Sequence, residues 1–202
     1  MRAFRAVDGG YSAYVSPSEC AILLQAVTET INALDAPATS SVFALLAAEE
    51  EPRDRPVSLA LTRLLPPPST NAEAAAQLRA LTEDDLRRTK TGRLQLIQKE
   101  LTTPRGAGGC VFVPEGEVWT WLCGINDVRL ALSGTLGILA DWDLDDIQVA
   151  ASSAIEPKKT DPSEAGVNEF ISGVFWALAW WQDSLLNSME LAGKCLYAES
   201  DE

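Results

Sequence analysis

The 202-residue chain contains no histidine. Without an imidazole, the protein cannot build a Ser-His-Asp or Cys-His catalytic arrangement, and it has no histidine ligand for zinc or haem. The sequence also lacks a G-x-G-x-x-G segment, a P-loop, a nucleophile elbow and an H-E-x-x-H motif. It therefore does not favour an enzyme, and it assigns no catalytic residue.

Basic residues are few, since 16 Lys and Arg face 29 Asp and Glu and the net charge is −13. Sequence-independent nucleic-acid binding depends on Lys and Arg at phosphates, and anionic membrane surfaces attract the same residues. The longest uncharged apolar stretch, Phe170 to Trp181, has 12 residues and is short of the roughly 20 that a membrane helix needs. The N-terminal residues lack the apolar run of a signal peptide. We therefore expect neither a nucleic-acid partner nor a membrane partner.

Four cysteines are spread along the chain without C-x-x-C spacing: Cys20, Cys110, Cys123 and Cys195. Scattered thiols in a chain of this length are typical of reduced, mostly buried cysteines in a cytoplasmic protein. Aspartates cluster within residues 141–146, and carboxylate oxygens of this kind can hold a hard cation. The segment lacks the glycine and the distal glutamate of a calcium loop, which favours a solvated acidic linker. The sequence predicts neither a metal site nor a cofactor.

Hydrophobic periodicity predicts a mainly α fold, a helical bundle with a small N-terminal β-hairpin and a short extra strand. We expect a single domain over residues 1–202. Its predicted parts are a hairpin at 1–15, a helical body at 16–139, an acidic linker at 140–164 and a C-terminal helix at 165–192.

Capping signals place several helix starts. Ser16 followed by Glu19 forms a capping box, and Asn71 is a candidate N-cap before an alanine-rich run. Thr82 is predicted to cap a further helix, with the run from Glu83 to Asp85 in its first turn. The extra strand is expected at Cys110 to Val113.

Polar residues interrupt the apolar stripes of two predicted helices. Arg129 lies within the stripe of the helix that begins near Glu117, with Asn126 at its margin and Asp127 pointing away. In the last helix Gln182 lies at the stripe's edge, where it can accept a hydrogen bond from Arg129 if the two helices pack together. Asp183 lies further round that helix.

Two interpretations of these polar residues stay open. One is a binding site for an anion or small molecule, formed by Asn126, Arg129, Gln182, Asp183 and Lys90, the last lying within its own helix stripe. The other is a buried polar contact that fixes helix register, with Lys90 a lysine that reaches solvent from a helix edge. The second interpretation of Lys90 is favoured.

The last helix is apolar on two sides, which is typical of a central helix or of one that carries an interface. Trp176 and Trp180 lie four residues apart, and tryptophan is enriched at binding hot spots. These two residues are our interface candidates, and burial in the core is the alternative.

Several segments resemble the actinobacterial domain-of-unknown-function family number two-thousand-seventeen. They are Arg63–Pro66, Asn71–Ala76, Leu81–Arg87, Trp121–Leu122, Asn126–Leu132, Leu136–Ile138 and Trp180–Leu185. The chain departs from the family pattern where Leu136 follows Thr135, since a second arginine is missing there, and where Trp181 replaces a leucine. The resemblance implies an intracellular, mainly helical protein without an established activity.

The leading hypothesis is a cytoplasmic helical module for protein interaction or regulation, whose partner is another protein or a second copy in a homodimer. The alternative is a small-molecule or anion-binding enzyme with a polar site around Arg129. The former is preferred because the chain lacks recognisable catalytic motifs and because its last helix is apolar on two sides and carries Trp176 and Trp180.

Overall fold

The computed structural model describes residues 1–35, 53–137 and 164–198, with the side chains of the last range described over 166–192. This part of the chain forms five α-helices and a small antiparallel sheet, which confirms the predicted mainly α fold with its hairpin and extra strand. The helices are α1 Pro17–Asp35, α2 Leu59–Leu64, α3 Ala72–Thr102, α4 Val118–Thr135 and α5 Glu164–Ala198. The strands are β1 Arg5–Val7, β2 Gly10–Ala13 and β3 Val111–Pro114.

The sheet has the order β1-β2-β3, so the extra strand pairs with the hairpin and extends it. Gly9 turns the hairpin with a φ of +74°, a conformation that glycine adopts without steric cost. Tyr11, Ala13 and Val15 are buried, because alternate residues of an extended segment point to the same face. The sheet therefore turns one apolar face towards the helices.

Helix α1 begins with the predicted capping box. The Ser16 amide donates to Glu19 Oε2 at 2.9 Å, and the Glu19 amide donates to Ser16 Oγ at 3.4 Å. The amino group of Met1 also binds Glu19. Hydrogen bonds from this amino group and from Ser16 lower the pKa of Glu19 to about 2. The carboxylate thus ties the start of the chain to the start of α1.

Helix α3 runs without a break through the position where a second helix was predicted to start. Asn71 caps it as expected, accepting a hydrogen bond from the Ala74 amide at 3.0 Å. The predicted cap at Thr82 is wrong, because its hydroxyl donates to the Leu78 carbonyl at 2.9 Å within the helix. The Thr82 side chain satisfies the helical backbone there instead of starting a new helix.

Helix α4 is the central element and packs against α1, α2, α3 and α5. At Gly134 an added Cβ would lie 2.5 Å from the Cα of Ala60, so α2 crosses α4 in backbone contact. At Gly124 the same atom would lie 2.5 Å from Cδ1 of Ile97 on α3. Small residues therefore set the close approach of α4 to two neighbours.

An aromatic cluster joins the N-terminus to α4 and α5. The Phe4 ring stacks on Trp181 with centroids 4.8 Å apart, and Trp121 meets both rings edge-on. The Phe4 backbone is bonded by two serines of α5, since its amide donates to Ser184 Oγ at 3.2 Å and its carbonyl accepts from Ser188 Oγ at 2.7 Å. The start of the chain is thus held between the two helices that form the core.

The sequence also predicts that α1 stops at Pro37 and that residues 41–51 form a helical run. These two segments, the aspartates of 141–146 and most of the acidic linker lie outside the described residues. Helix α5 spans 164–198, where a helix over 165–192 was expected. The single-domain assignment stays a prediction. Among the described helices, none combines the length and apolar character that a membrane span requires.

Candidate functional site

Arg129 and Gln182 form the hydrogen bond that the sequence predicts. Arg129 Nη1 donates to Gln182 Oε1 at 2.8 Å, and Gln182 Nε2 donates to the Leu122 carbonyl at 3.1 Å. Gln182 on α5 therefore links the Arg129 side chain to the backbone of α4 about two turns before Arg129. Because two bonds hold the amide, its orientation is fixed from both ends.

The Arg129 guanidinium lies over an aromatic ring and forms no salt bridge with another described residue. Its Cζ is 5.0 Å from the centroid of Phe175, within cation–π distance. No carboxylate of the described residues lies within 4.0 Å of it, and its buried Nε has no hydrogen-bond partner. Burial lowers the pKa of Arg129, and the charge of Asp183 opposes that shift. Arg129 is thus a partly desolvated cation with unused donors.

The other residues of the predicted polar site are arranged differently. Asn126 and Asp183 are exposed, and no hydrogen bond joins either of them to Arg129 or Gln182 among the described residues. Lys90 belongs elsewhere, because it lies on α3 and binds Asp127 on another side of α4. The structure therefore brings together Arg129 and Gln182, leaves Asn126 and Asp183 at the surface, and separates Lys90 from the group.

The prediction that Lys90 reaches solvent from a helix edge is wrong. Lys90 is 8 % exposed and Asp127 is 2 % exposed, and the two form a buried ion pair. Arg93 Nη1 also lies 3.5 Å from Asp127 Oδ2. Asp127 does point away from the α4 stripe that contains Arg129, but α3 covers that opposite side. The carboxylate partner that Lys90 needs is thus inside the protein.

A second buried carboxylate was missed from the sequence. Glu83 lies 3.2 Å from Arg79 Nε, 2.8 Å from Arg87 Nη2 and 3.5 Å from Arg53 Nη1. The interpretation of Glu83 as an acidic residue in the first turn of a helix is wrong, because Glu83 lies in the interior of α3. The spacing of Arg79, Glu83 and Arg87 by four residues is the signal that could have identified the cluster.

A third buried carboxylate anchors the sheet to α3. Glu100 accepts from the amides of Arg105 at 2.9 Å and Phe112 at 2.7 Å, and from Arg105 Nε at 2.5 Å. The loop after α3 and the start of β3 are therefore fixed by one side chain. Like Glu83, Glu100 forms its contacts with other groups of the same chain, and its role is therefore structural.

The tryptophans divide into exposed and buried ones. Trp180 is 49 % exposed, whereas its neighbour Trp181 is 1 % exposed. Trp176 is partly buried, meets Phe175 edge-on at 5.8 Å, and has an indole N–H without an acceptor. Trp119 on α4, which the sequence analysis did not single out, is 68 % exposed.

Two of the open grooves on the described surface include neither Arg129 nor Trp180. The larger, about 440 Å³, lies between the end of α1 and α3, beside Asp84, Arg87 and Arg88. Each of these charges is paired with a side chain of the protein. Within the described ranges, no three Asp, Glu or Cys side chains come together in a way that could hold a metal ion.

A family model described as a domain of unknown function, DUF2017, matches residues 1–189. The match covers the hairpin, α1 to α4 and most of α5, including the Arg129–Gln182 contact and the exposed Trp180. No curated protein and no solved structure matches the chain.

Proposed function

The chain belongs to the DUF2017 family of unknown function, and from this premise we propose that it is a helical protein-interaction module. The observation that supports the proposal is the solvent-facing side of α5, where Trp180 is 49 % exposed. Tryptophan is enriched at binding hot spots, and an exposed indole offers a large apolar contact surface to a partner.

We define the outer face of α5 by Trp176, Trp180, Asp183, Asn187 and Glu190. Steps of three, four and seven residues put these side chains on one side of the helix. Asp183, Asn187 and Glu190 are exposed, and Trp176 is partly exposed. The face therefore combines two indole rings with two carboxylates.

This composition favours a basic segment of another protein as the partner. Lys and Arg side chains can stack on the indole face and pair with Asp183 and Glu190 at the same time. The net charge of −13 attracts such a partner over a distance and repels a second copy of the chain. Charge complementarity thus supports a basic partner over a homodimer.

The enzyme alternative has less support. The buried carboxylates Glu83, Glu100 and Asp127 are each bonded to basic side chains, so none is positioned as a free acid or base. Arg129 offers donors for binding an anion but has no reacting group beside it among its described contacts.

A cytoplasmic location is part of the proposal. Cys20, Cys110 and Cys123 are free thiols, as expected of a reducing compartment. An actinobacterial source remains a prediction from the sequence resemblance.

The test compares three tryptophans. A fluorescein-labelled peptide of alternating lysine and leucine is titrated with wild-type protein and with Trp180→Ala, and its anisotropy is measured at low and physiological salt. We expect Trp180→Ala to weaken binding by about tenfold or more, a typical hot-spot loss. Trp119→Ala is the matched control, because it removes an exposed tryptophan away from α5.

Three outcomes contradict the proposal. Equal losses in Trp119→Ala and Trp180→Ala indicate non-specific apolar binding. Equal affinity for a glutamate–leucine peptide removes the argument from charge. A concentration-dependent dimer in native mass spectrometry that Trp180→Ala abolishes assigns the face to self-association. The buried Trp181→Ala variant separates binding from folding, since it should lower stability by about 3–5 kcal/mol.

A further inference from the structure

One face of the three-stranded sheet points away from the helices. The register places Arg5, Ser12 and Phe112 side by side across the three strands. Successive side chains of a strand point to opposite faces, and Tyr11 and Val113, the sequence neighbours of Ser12 and Phe112, are buried in the core. Arg5 is exposed, and Ser12 and Phe112 are partly exposed. This row of side chains is therefore open to a partner.

Two arginine–aromatic contacts extend this face. Tyr14 follows Ser12 by two residues, lies on the same side as Ser12, and is 45 % exposed. The Arg2 guanidinium lies 5.8 Å from the centroid of the Tyr14 ring, and the Arg2 amide donates to the Tyr14 carbonyl at 2.8 Å. The Arg105 guanidinium lies 5.8 Å from the centroid of the Phe112 ring. The face therefore combines guanidinium groups with aromatic rings.

The arginines of this face differ in how far carboxylates neutralise them. Arg105 binds the buried Glu100 and lies 3.6 Å from Glu117 Oε2, so its charge is balanced within the protein. Arg2 and Arg5 form no salt bridge with a carboxylate of the residues that the structure describes. Both side chains are exposed. A chain with a net charge of −13 thus presents two unpaired guanidinium groups on one surface.

We propose that the outer sheet face, defined by Arg2, Arg5, Ser12, Tyr14 and Phe112, binds a short acidic segment of another protein. Each of the two unpaired guanidinium groups can donate to a carboxylate, and the exposed Tyr14 ring offers an apolar contact beside them. Charge complementarity supports this occupant, because carboxylates meet positive charge here and negative charge over most of the remaining chain.

The geometry of the face fits an acidic segment in an extended conformation. Arg5 is level with Ser12, whereas the Arg2 guanidinium lies beside Tyr14, two residues further along the chain. Two residues of extended chain span about 7 Å, and side chains at alternate positions of an extended partner have the same spacing. Carboxylates at alternate positions can therefore reach both arginines. The Ser12 side chain on the middle strand is short, which leaves room for such a segment over β2.

Single-stranded nucleic acid and a second copy of the chain fit this face less well. Nucleic-acid affinity rises with the number of Lys and Arg side chains that replace counterions at phosphates, and the face offers two unpaired arginines. A nucleic acid also brings one negative charge with every nucleotide to a chain of net charge −13, whereas an acidic segment brings only a few. A second copy carries the same net charge and is repelled.

The experiment uses a peptide of alternating glutamate and threonine, with a glutamine–threonine peptide as its uncharged counterpart. The full-length protein is labelled with ¹⁵N, and its backbone amide and indole N–H signals are followed during each titration. We expect the glutamate peptide to shift the amide signals of Arg5, Ser12 and Tyr14 and to leave the Trp180 indole signal in place. The glutamine peptide should bind at least tenfold more weakly. Equal affinity of the two peptides, or shifts that do not involve the outer sheet face, overturn the proposal.

Matched variants test the two arginines. Arg2→Gln and Arg5→Gln should each weaken binding of the glutamate peptide about threefold, and the double variant about tenfold, as expected for exposed ion pairs. Arg88→Gln is the control, because it removes a 75 % exposed arginine from α3 and changes the net charge by the same amount. It should bind the peptide as wild type does. A loss in Arg88→Gln as large as in Arg5→Gln shows that overall charge attracts the peptide, and it overturns the assignment.

Further arms identify the class of partner. A thymidine dodecamer that shifts the same amide signals at lower concentration than the glutamate peptide assigns the face to single-stranded nucleic acid and overturns the proposal. A concentration-dependent dimer that the double arginine variant abolishes assigns it to a second copy, with the same consequence. Trp180→Ala should leave the glutamate peptide titration unchanged, and the double arginine variant should still bind the lysine–leucine peptide. This inference can therefore fail or hold independently of the proposed function.

Discussion

The buried Lys90–Asp127 pair gives the sharpest stability prediction. Lys90 Nζ binds Asp127 Oδ1, and the two residues join α3 to α4 at positions 8 % and 2 % exposed. Replacing Lys90 by methionine keeps most of the apolar part of the side chain but leaves the carboxylate without its main partner. The protein then has to hold a buried negative charge between two helices.

The size of the effect follows from what remains around Asp127. Removing one member of a buried pair costs about 3–5 kcal/mol. Arg93 stays 3.5 Å from the carboxylate, so we expect the lower end, about 3 kcal/mol, for Lys90→Met. The double variant Lys90→Met/Asp127→Asn removes both charges and should be more stable than Lys90→Met alone.

Urea unfolding followed by far-UV circular dichroism at pH 7 measures these differences. Lys99→Met is the matched control, since it removes an exposed lysine from the same helix and should change stability by less than about 0.5 kcal/mol. A loss below about 1 kcal/mol in Lys90→Met refutes the reasoning, and so does a double variant that loses the sum of the two single losses.

Further predictions concern a cap and two glycines. The Glu19 carboxylate has a pKa of about 2 in the folded protein against an ordinary 4.5, so its contribution is complete at neutral pH and is lost as the pH falls from about 4.5 to about 2. The difference between wild type and Glu19→Gln, about 1 kcal/mol at pH 7 in urea unfolding, should close over that window, and a constant difference contradicts the assignment. Gly134→Ala should cost about 1–3 kcal/mol by calorimetry, because its Cβ meets the Ala60 backbone, and unchanged stability is inconsistent with that contact. Gly92→Ala has open space in the middle of α3 and should stabilise the protein by about 0.5–1 kcal/mol, whereas a loss points to a hidden clash.

Local signals in the sequence predicted much of the fold. The capping box at Ser16, the N-cap at Asn71 and the hairpin within residues 1–15 depend on a few neighbouring residues, and all three occur in the structure. The Arg129–Gln182 hydrogen bond was also predictable. Each of the two residues lies in or beside an apolar stripe, and the guanidinium needs an acceptor that the Gln182 amide oxygen can supply.

The remaining errors come from tertiary context. Thr82 has the chemistry of a cap, but Glu83 beside it is held by arginines on the same helix, and the helix continues. Asp127 and Lys90 are each unremarkable in their own helices. Only the packing of α3 on the far side of α4 turns them into a buried pair, and single-helix periodicity cannot predict which helix covers a second face.

The serine bonds to the Phe4 backbone have a consequence for biosynthesis. The two bonds join Phe4 to residues that are 180 and 184 positions later in the sequence. The core contacts of the segment that contains Phe4 are therefore complete only after the last helix has been synthesised. At about 5–20 residues per second, translation leaves the Phe4 side chain without its α5 partners for roughly 10–40 s. During that interval the nascent chain presents the apolar face of its hairpin to solvent. We therefore expect its folding yield to depend on translation speed.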